Sequence, residues 1–409
     1  MTTIKPETPQ IDSPEVIARA RRTVLLLSGT FFMVFMGTGA QQLYLVPYLR
    51  GITDWTPLMC NLVPGMVYLS MMVFRVGNVY LLRKWSNWRL TMVGATTYSL
   101  FSVVMLATFY LESYPLALLA AAVWGWGGAA MWAGTTMSIL DATDAGRRAH
   151  GVGAGTLYAA THGGWLAGAA ILGLIYGNPS WQPFSLYIAA IVFTGIGNLM
   201  VLTHPRDEDF VPQMPTLQDL LVVARRSKVI VAGFLQLTSA LSFGIMLGVF
   251  GDYIESTYGA QYIWLTGTFY PLVQFCLSYL GGSLADRLGH GTVLAGSFLI
   301  AAASMLVAVS FASIVAAALA AAGLAVLSGT VPVVSAAMVG DSADRSRRPL
   351  AYGALFVWRD FGVAATAIWS SILMRSTGDF ASIFNIFAVV FVVCAFVSLL
   401  LRKYARERL

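Results

Sequence analysis

The stretch DATDAGRR, residues 141–148, recurs 200 residues later in the chain as DSADRSRR, residues 341–348. Both copies run on to a Gly-Ala pair, and six of the fourteen aligned positions in 141–154 and 341–354 are identical. Each copy lies between two long apolar segments. An apolar chain with this internal duplication is typical of secondary transporters, which are built from repeated bundles of membrane-spanning helices.

The composition of the chain excludes a soluble globular protein. Hydrophobic residues make up 57% and charged residues 11% of its 409 residues, and the mean hydropathy is +0.72. Too few polar residues are present to cover the surface of a soluble protein. Twelve apolar segments, each about as long as the roughly 20 residues that cross a ~30 Å hydrocarbon layer, lie near 23–49, 57–82, 90–111, 115–140, 151–176, 183–202, 229–256, 262–286, 291–312, 314–340, 350–374 and 379–401.

These segments predict an all-α membrane protein with twelve transmembrane helices in two pseudo-symmetric six-helix bundles. A β-barrel would instead have shorter segments of alternating polarity. We expect a short amphipathic helix on the membrane surface at 217–224, in the linker. The predicted divisions are an N-terminal tail at 1–22, a first bundle at 23–202, the linker at 203–228, a second bundle at 229–401 and a C-terminal tail at 402–409.

The distribution of basic residues predicts the orientation. With the N-terminus in the cytoplasm, 21 of the 25 Lys and Arg residues fall in cytoplasmic segments, and only Arg50 and Arg375 fall on the opposite side. The positive-inside rule therefore predicts a multi-pass protein of the cytoplasmic (inner) membrane with both termini in the cytoplasm. Residues 1–22 lack a cleavable signal pattern, so the first helix is expected to be retained.

Enzymatic and nucleic-acid functions are not expected from this sequence. The basic residues are scattered over seven short segments instead of forming one face, which argues against nucleic-acid binding. Cys60, Cys276 and Cys394 lie in different apolar segments and suggest neither a disulfide framework nor a metal site. Without a nucleotide-binding loop, a flavin fingerprint or a nucleophile–base pair, we expect no enzyme, no cofactor and no ATP-driven transport.

The loop between the predicted eighth and ninth helices reads GSLADRLG, residues 282–289. It resembles the G-x-L-A-D-R-x-G signature of the major facilitator superfamily, and the repeated stretch resembles the acidic-x6-Arg element of that family. The resemblance implies alternating access, controlled by a cytoplasmic charge network that holds one conformation. The residues to which it gives this latch role are Gly282, Asp286, Arg287, Gly289, Asp141, Arg148, Asp341 and Arg348. The alternative is that these loops only fix topology and cap helices.

The first half departs from the family pattern. Its corresponding loop reads GNVYLLRK, residues 77–84, so Leu81 stands where the acidic residue belongs. The predicted fifth helix also lacks the Gly-Pro pair of the drug-antiporter signature, since it reads THGGW at 161–165. A first-half latch must therefore be weaker or built from other residues.

Charged residues inside apolar segments are costly and mark functional sites in membrane proteins. Arg75 lies about 10 Å from the cytoplasmic end of the second predicted helix, and Arg359 and Asp360 lie about 14–15 Å into the eleventh. The family resemblance implies that these two helices face each other. We therefore predict an Arg75–Asp360 ion pair that closes a cytoplasmic gate, with Arg359 turned toward a central cavity. The alternative is that local backbone and water satisfy Arg359 and Asp360.

His162 is the only histidine within a predicted span, and it could relay protons or form a structural hydrogen bond to a neighbouring helix. Further polar and aromatic residues are candidates for substrate contacts. They are Gln41, Gln42, Tyr44, Trp132, Gln236, Thr238, Tyr270 and Gln274. The resemblance implies that helices 1, 4, 7 and 10 line the cavity, which favours the candidates on the first and seventh helices.

One cavity arginine among amides and aromatic rings favours a secondary transporter for a small organic solute, either one that carries a carboxylate or a polar organic molecule. Protons are a candidate coupling ion, because Asp360 and His162 are deep titratable groups. Two alternatives remain open: an exporter of amphipathic compounds, and a non-transporting membrane adaptor or assembly factor. The expected partners are a small-molecule substrate and the lipid bilayer, and the expected oligomeric state is a monomer.

Overall fold

The computed structural model describes residues 14–82, 84–146, 149–176, 180, 184–204, 216–247, 249–259, 262, 265–377 and 379–404. The regular elements in these residues are helices, with no strand among them. The first half contains α1 (Pro14–Val34), α2 (Ala40–Ile52), α3 (Pro57–Leu81), α4 (Asn87–Leu111), α5 (Tyr114–Ala145), α6 (His150–Tyr176) and α7 (Ser185–Leu202). A π-helical turn, Phe35–Gly39, joins α1 to α2, so these two helices form one span.

The second half follows a short helix, α8 (Leu217–Ala224), that connects the halves. It contains α9 (Ser227–Leu247), α10 (Val249–Tyr258), α11 (Tyr270–Leu288), α12 (His290–Ser310), α13 (Ile314–Ser342), α14 (Arg348–Thr377) and α15 (Phe380–Lys403). A second π-helical turn, Leu265–Phe269, precedes α11. Helices α9 and α10 together correspond to one predicted span.

The predicted all-α membrane architecture is confirmed. In the described part of the chain, ten helices are long and apolar enough to cross a membrane. Large apolar side chains such as Leu174, Val389 and Phe396 are exposed on the outer surface, as expected where a protein faces hydrocarbon. The other two long helices, α11 and α14, carry charged and amide side chains that lower their hydropathy.

The largest contacts between the two bundles are those of α3 with α14 and of α6 with α11, and α6 also packs on α13. Helices α3 and α11 are the second spans of their halves, and α6 and α14 are the fifth, so the interface repeats the internal symmetry. Both contacts rely on glycine: a Cβ at Gly282 of α11 would collide with the carbonyl of Gly151, and one at Gly353 of α14 would collide with the carbonyl of Arg75. The glycines therefore allow the bundles to approach backbone to backbone.

The first helix begins earlier than predicted, at Pro14 instead of residue 23. Proline suits the first turn of a helix, and Glu15 beside it is favourable at the positive helix N-terminus. The early turns carry exposed arginines, Arg19, Arg21 and Arg22, which a search for apolar segments excludes. This helix therefore extends beyond its apolar part into the segment predicted as the 1–22 tail.

The helix predicted at 217–224 is present as α8. A capping box begins it: Thr216 Oγ1 accepts from the Asp219 amide at 3.1 Å, and the Asp219 carboxylate accepts from the Thr216 amide at 2.7 Å. The hydrogen bonds from Thr216 lower the pKa of Asp219 below its usual value. Tyr80 of α3 donates through Oη to the Thr216 carbonyl at 3.2 Å, while α8 itself packs on α14. The connecting helix thus contacts both halves.

Glycine packing inside the first bundle gives a test of this architecture. A Cβ at Gly94 of α4 would meet the backbone of Gly127 and Met131 on α5, so Gly94→Ala should destabilise the protein by about 1–3 kcal/mol. The matched control is Gly296→Ala in α12, where no heavy atom lies within 4 Å of the added carbon. Alanine favours helix there, so the melting temperature of the control should stay equal or rise. Equal melting temperatures for both variants in detergent would contradict the packing.

Candidate functional site

A cavity of about 60 Å³ lies between the two bundles. This volume holds a few water molecules but not an organic solute, so the site is contracted. Eight of the side chains that line it are aromatic: Phe35, Tyr68, Tyr98, Trp124, Trp132, Tyr158, Trp165 and Phe243. Polar groups from both bundles join them, among them Gln42, His162, Gln274 and Arg359.

Asp360 on α14 is held by two guanidinium groups. Arg75 Nε of α3 lies 2.5 Å from Asp360 Oδ2, and Arg359 Nη1 lies 3.3 Å from Asp360 Oδ1. The side chains of Arg75 and Asp360 are 1% and 0% exposed, whereas that of Arg359 is 22% exposed and lines the cavity. Since two cations share one carboxylate, the cluster carries one unbalanced positive charge next to the cavity.

Two aromatic rings complete the surroundings of Arg75. Tyr352 and Phe356 of α14 stack with their centroids 4.2 Å apart, and Arg75 Cζ lies 5.6 Å from each centroid. Arg75 Nη1 also donates to Tyr352 Oη at 3.3 Å. The rings stabilise the guanidinium through cation–π contacts where water is excluded. The predicted ion pair therefore lies within a larger contact between α3 and α14.

A second set of charges connects the bundles at the end that carries the predicted cytoplasmic loops, which we call the basic end. Arg348 Nη1 lies 2.6 Å from Asp144 Oδ2 and 3.3 Å from Asp141 Oδ1. Arg345 Nη2 lies 2.8 Å from Asp141 Oδ2. Both acids of the first repeat are therefore bound by arginines of the second, across the bundle interface.

His150 makes the reciprocal connection. Its Nδ1 lies 2.6 Å from Asp341 Oδ1 in the second bundle, and its Nε2 lies 2.8 Å from Asp144 Oδ1 in the first. His290 Nε2 approaches the other oxygen of Asp341 at 3.0 Å. Because both nitrogens of His150 face carboxylates, only the doubly protonated ring donates both hydrogen bonds. Arg148, which the repeat predicts as a latch residue, lies outside the described residues.

Asp286 of the loop signature binds the start of α6. Its Oδ1 and Oδ2 accept from the amides of Gly151 and Val152, each at 3.0 Å, where the helix dipole favours an anion. Gly282 supplies the close approach described above, and Gly289, with φ of +84°, ends α11 in a conformation that favours glycine. Arg287 is exposed and pairs with no acid among the described residues. The first half has no such cap, since Leu81 is exposed there.

The sequence-predicted substrate residues divide into two groups. Gln42, Trp132, His162, Gln274 and Arg359 line the cavity. The remaining described candidates, Tyr44, Gln236, Thr238 and Tyr270, are not among the lining residues. The side chain of Gln41 lies outside the described set.

The misplaced candidates have physical explanations. Tyr44 Oη donates to the Ala169 carbonyl at 2.6 Å inside the first bundle, and Tyr270 Oη bonds Ser328 Oγ at 2.6 Å. Thr238 faces α15, where Cys394 Sγ lies 3.5 Å away. Gln236 shares a face of α9 with the lining residues Ala240 and Phe243, but lies a turn nearer the basic end, where the bundles are closed.

Comparison with known proteins identifies the family of this arrangement. The sequence profile of the Major Facilitator Superfamily matches residues 27–258 and 232–408. The chain belongs to the major facilitator superfamily. It is therefore a secondary transporter for a small-molecule substrate in a membrane. A comparison with curated protein sequences finds no match.

Solved structures of superfamily members have the same fold. A single-residue variant of the fucose:proton symporter FucP of E. coli aligns with a TM-score of 0.72 and 15% identity, covering 93% of this chain and 98% of that chain. The human organic anion transporter MFSD10 (TETRAN) aligns with a TM-score of 0.74 and 12% identity, covering 93% of this chain and 99% of that one. In this chain the bundles are in contact at the basic end through the Arg348, Arg345 and His150 ion pairs described above.

Several site residues escaped the sequence analysis. Tyr158 and Trp165 lie four residues before and three after His162, so they share its helix face, and both line the cavity. Phe356 and Tyr352 lie four and eight residues before Asp360 and share its face in the same way. Extending each predicted site residue by helical spacing would have found them. His150 carried no such signal, because a histidine next to a loop resembles an ordinary polar residue.

Loss of Arg75 should open the basic end. Removing one partner of a buried ion pair costs about 3–5 kcal/mol, so Arg75→Ala should lower the closed population. The measurement is the distance between spin labels on cysteines at positions 84 and 346, both exposed and in different bundles, after replacement of the three native cysteines. Arg75→Asp should lengthen this distance, and addition of Asp360→Arg should partly restore it.

Arg89→Ala, at an exposed arginine of the basic end, is the control and should leave the distance unchanged. A double charge-swap variant that is no more closed than Arg75→Asp alone would contradict the role of the pair.

Closure of the basic end should also depend on pH. The groups that face His150 are Asp144, Arg348 and Asp341, with His290 and Asp286 close by. The protonated ring donates to both carboxylates, whereas the neutral ring opposes one carboxylate with a lone pair. Burial opposes the charged ring, but Asp341 and Asp144 outweigh it and raise the pKa of His150 above its usual value. Closure should therefore weaken as pH rises above about 6.5. The same spin-label distance measures it, and His150→Gln should flatten the profile. Identical profiles for the two proteins would exclude His150 as the sensor.

Proposed function

We propose that this transporter carries a small organic anion with a carboxylate group, bound by Arg359, across the cytoplasmic membrane by alternating access. The single observation that carries this proposal is the unbalanced charge around Asp360. Arg75 is buried on Asp360, while the partly exposed Arg359 reaches the cavity. A substrate carboxylate on Arg359 would neutralise the cluster through a charge-assisted hydrogen bond.

The aromatic lining supports an anion with an apolar body. Eight rings surround the polar groups of the cavity, and aromatic side chains bind flat or apolar surfaces through large contact areas. An exporter of neutral amphipathic compounds would use the same rings but would not need Arg359. An adaptor without transport activity would need neither the aromatic rings nor Arg359.

The orientation follows from the basic residues. With 21 of 25 Lys and Arg residues on the side of the basic end, that end and both termini lie in the cytoplasm. The structure then corresponds to a conformation closed toward the cytoplasm, and the transporter acts as a monomer.

Protons are the proposed coupling ion. Moving an anion into a cell with an inside-negative potential costs about 2.3 kcal/mol per charge per 100 mV, which an accompanying proton would offset. The deep titratable groups of the bundles are Asp360 and His162, of which His162 lines the cavity with Arg359.

Flux into reconstituted vesicles tests the proposal. Radiolabelled carboxylates, aliphatic and aromatic, should enter the vesicles, and an imposed proton gradient should accelerate their uptake. Arg359→Ala should reduce the uptake at least tenfold, because the substrate loses its charge-assisted partner. Arg359→Lys keeps the charge without the planar fork and should retain part of the activity.

The matched control is again Arg89→Ala, which removes an exposed arginine far from the cavity. Uptake of carboxylates that survives Arg359→Ala would contradict the role of Arg359. Flux limited to neutral amphipathic compounds would favour the exporter. The absence of flux for every solute class would favour the adaptor.

A further inference from the structure

The polar atoms of the cavity specify a second substrate group besides the carboxylate. His162 of α6 is 7% exposed, and its Nδ1 lies 2.8 Å from Ser278 Oγ of α11, so this hydrogen bond joins the two bundles. Which of the two atoms donates decides what the other ring nitrogen, Nε2, presents to the cavity.

The surroundings of Ser278 settle the direction of that hydrogen bond. Ser278 Oγ lies 2.8 Å from the Gln274 carbonyl oxygen and 3.2 Å from the Gly329 carbonyl oxygen. Both carbonyls can only accept, so the single hydroxyl hydrogen of Ser278 is directed to them. His162 must then donate from Nδ1, and in the neutral ring its Nε2 carries the lone pair. A second proton on the ring would place a cation beside Arg359 on the same cavity wall.

The orientation of the Gln274 side-chain amide follows in the same way from the hydrogen bonds of Ser328. Ser328 Oγ donates to the Leu324 carbonyl at 2.8 Å, so its lone pairs accept from Tyr270 Oη at 2.6 Å and from Gln274 Nε2 at 2.9 Å. The amide therefore presents its other atom, Oε1, as an acceptor. Gln274 is 1% exposed, and its Oε1 has no partner among the described residues.

Two serines that bond back to their own helices thus orient two hydrogen-bond acceptors, His162 Nε2 and Gln274 Oε1, on the wall that also holds Arg359. A plain carboxylate would satisfy Arg359 and leave both acceptors without a donor from the substrate, which is unfavourable once the substrate displaces the water that the cavity can hold. A hydroxyl group on the substrate supplies one hydrogen and so satisfies one of the two acceptors. An ammonium group would also donate, but it would add a positive charge next to the unbalanced guanidinium.

We infer that the substrate is a hydroxycarboxylate, whose carboxylate binds Arg359 and whose hydroxyl hydrogen binds His162 Nε2 or Gln274 Oε1. This inference rests on the proposed function, because it takes the carboxylate at Arg359 as given. It adds the hydroxyl as a specificity determinant and makes Ser278 a positioning residue that acts through His162.

Matched ligands test the role of the hydroxyl group separately from the role of the carboxylate. Mandelate, phenylacetate and phenylglycine share a skeleton and carry a hydroxyl, a hydrogen and an ammonium group at one carbon, as do lactate, propionate and alanine. Dissociation constants come from thermal-shift titrations of the purified full-length protein. In at least one series the hydroxy acid should bind at least tenfold more tightly than the other two members, because each of those leaves the site unsatisfied or adds charge.

Variants assign the effect to residues. Gln274→Leu and His162→Phe should each reduce the preference for the hydroxy acid over the deoxy acid while the deoxy acid keeps its affinity. Arg359→Ala should weaken both acids alike. Ser278→Ala should reduce the preference, and the ¹⁵N shifts of His162 should change from the Nδ1–H form to a mixture of tautomers, which a purely structural role would not produce.

Equal binding of the hydroxy and deoxy acids, with both lost in Arg359→Ala, would overturn the inference and leave the anion transporter intact. Tighter binding of the ammonium member would overturn it in favour of a zwitterion. Nε2–H as the protonated position of His162 in the unmodified protein would also overturn it. Binding of no acid, or binding that is unaffected by Arg359→Ala, would contradict the proposed function together with the inference.

Discussion

Asp360 imposes the constraint on which the rest of the site depends. A carboxylate within a membrane bundle stays ionised only if cations and hydrogen bonds replace the water it has lost. One cation comes from the opposite bundle, since Arg75 lies on α3, and the other from the neighbouring residue Arg359. The first requirement brings α3 and α14 together, with Gly353 allowing the approach. The second places the guanidinium of Arg359 at the cavity wall. The same carboxylate therefore holds the two bundles together and positions the positive charge that faces the cavity.

The duplicated loops at the basic end have diverged in their partners while keeping their acids. Asp141 is bound by Arg345 and Arg348, which stay charged at every physiological pH, and Asp144 is bound by Arg348 and His150. Asp341 is instead bound by two histidines, His150 and His290. The internal symmetry of the fold is therefore retained in the backbone and lost in the chemistry. The two loops after the second span of each half have diverged as well: the exposed Leu81 occupies the position that corresponds to the capping residue Asp286.

The sequence was sufficient for the fold and for the central ion pair. Long apolar segments and the repeat identify the bundles, and charges such as Arg75 and Asp360 stand out within those segments because burial makes them costly. The direction and depth of a side chain were harder to predict. Thr238 faces α15 instead of the cavity, and Gln236 lies on the cavity-lining face of α9 but one turn nearer the basic end. Both outcomes depend on how neighbouring helices pack and on which end of the bundle is closed, and one helix does not encode either.

The histidines that bind Asp341, and the two hydrogen-bond acceptors that Ser278 and Ser328 orient, could not be predicted from the sequence either. His150 gains its role only because Asp341, 191 residues away in the chain, lies beside it in the fold. Ser278 and Ser328 look like ordinary helix serines, since a hydroxyl bonded to a carbonyl four residues back is common. Each serine has one hydroxyl hydrogen, and its effect on His162 or Gln274 depends on which neighbouring atom receives that hydrogen. The positions of all the neighbouring atoms are therefore needed.

The connecting helix α8 has a consequence for the amplitude of movement. It is tied to the first bundle by the hydrogen bond from Tyr80 to the Thr216 carbonyl, and it rests on α14 of the second bundle. When the bundles separate at this end, α8 can follow only one of them, so one of its two attachments must slide or break. Residues 216–224 therefore limit how far the two bundles can separate at this end while both attachments are kept.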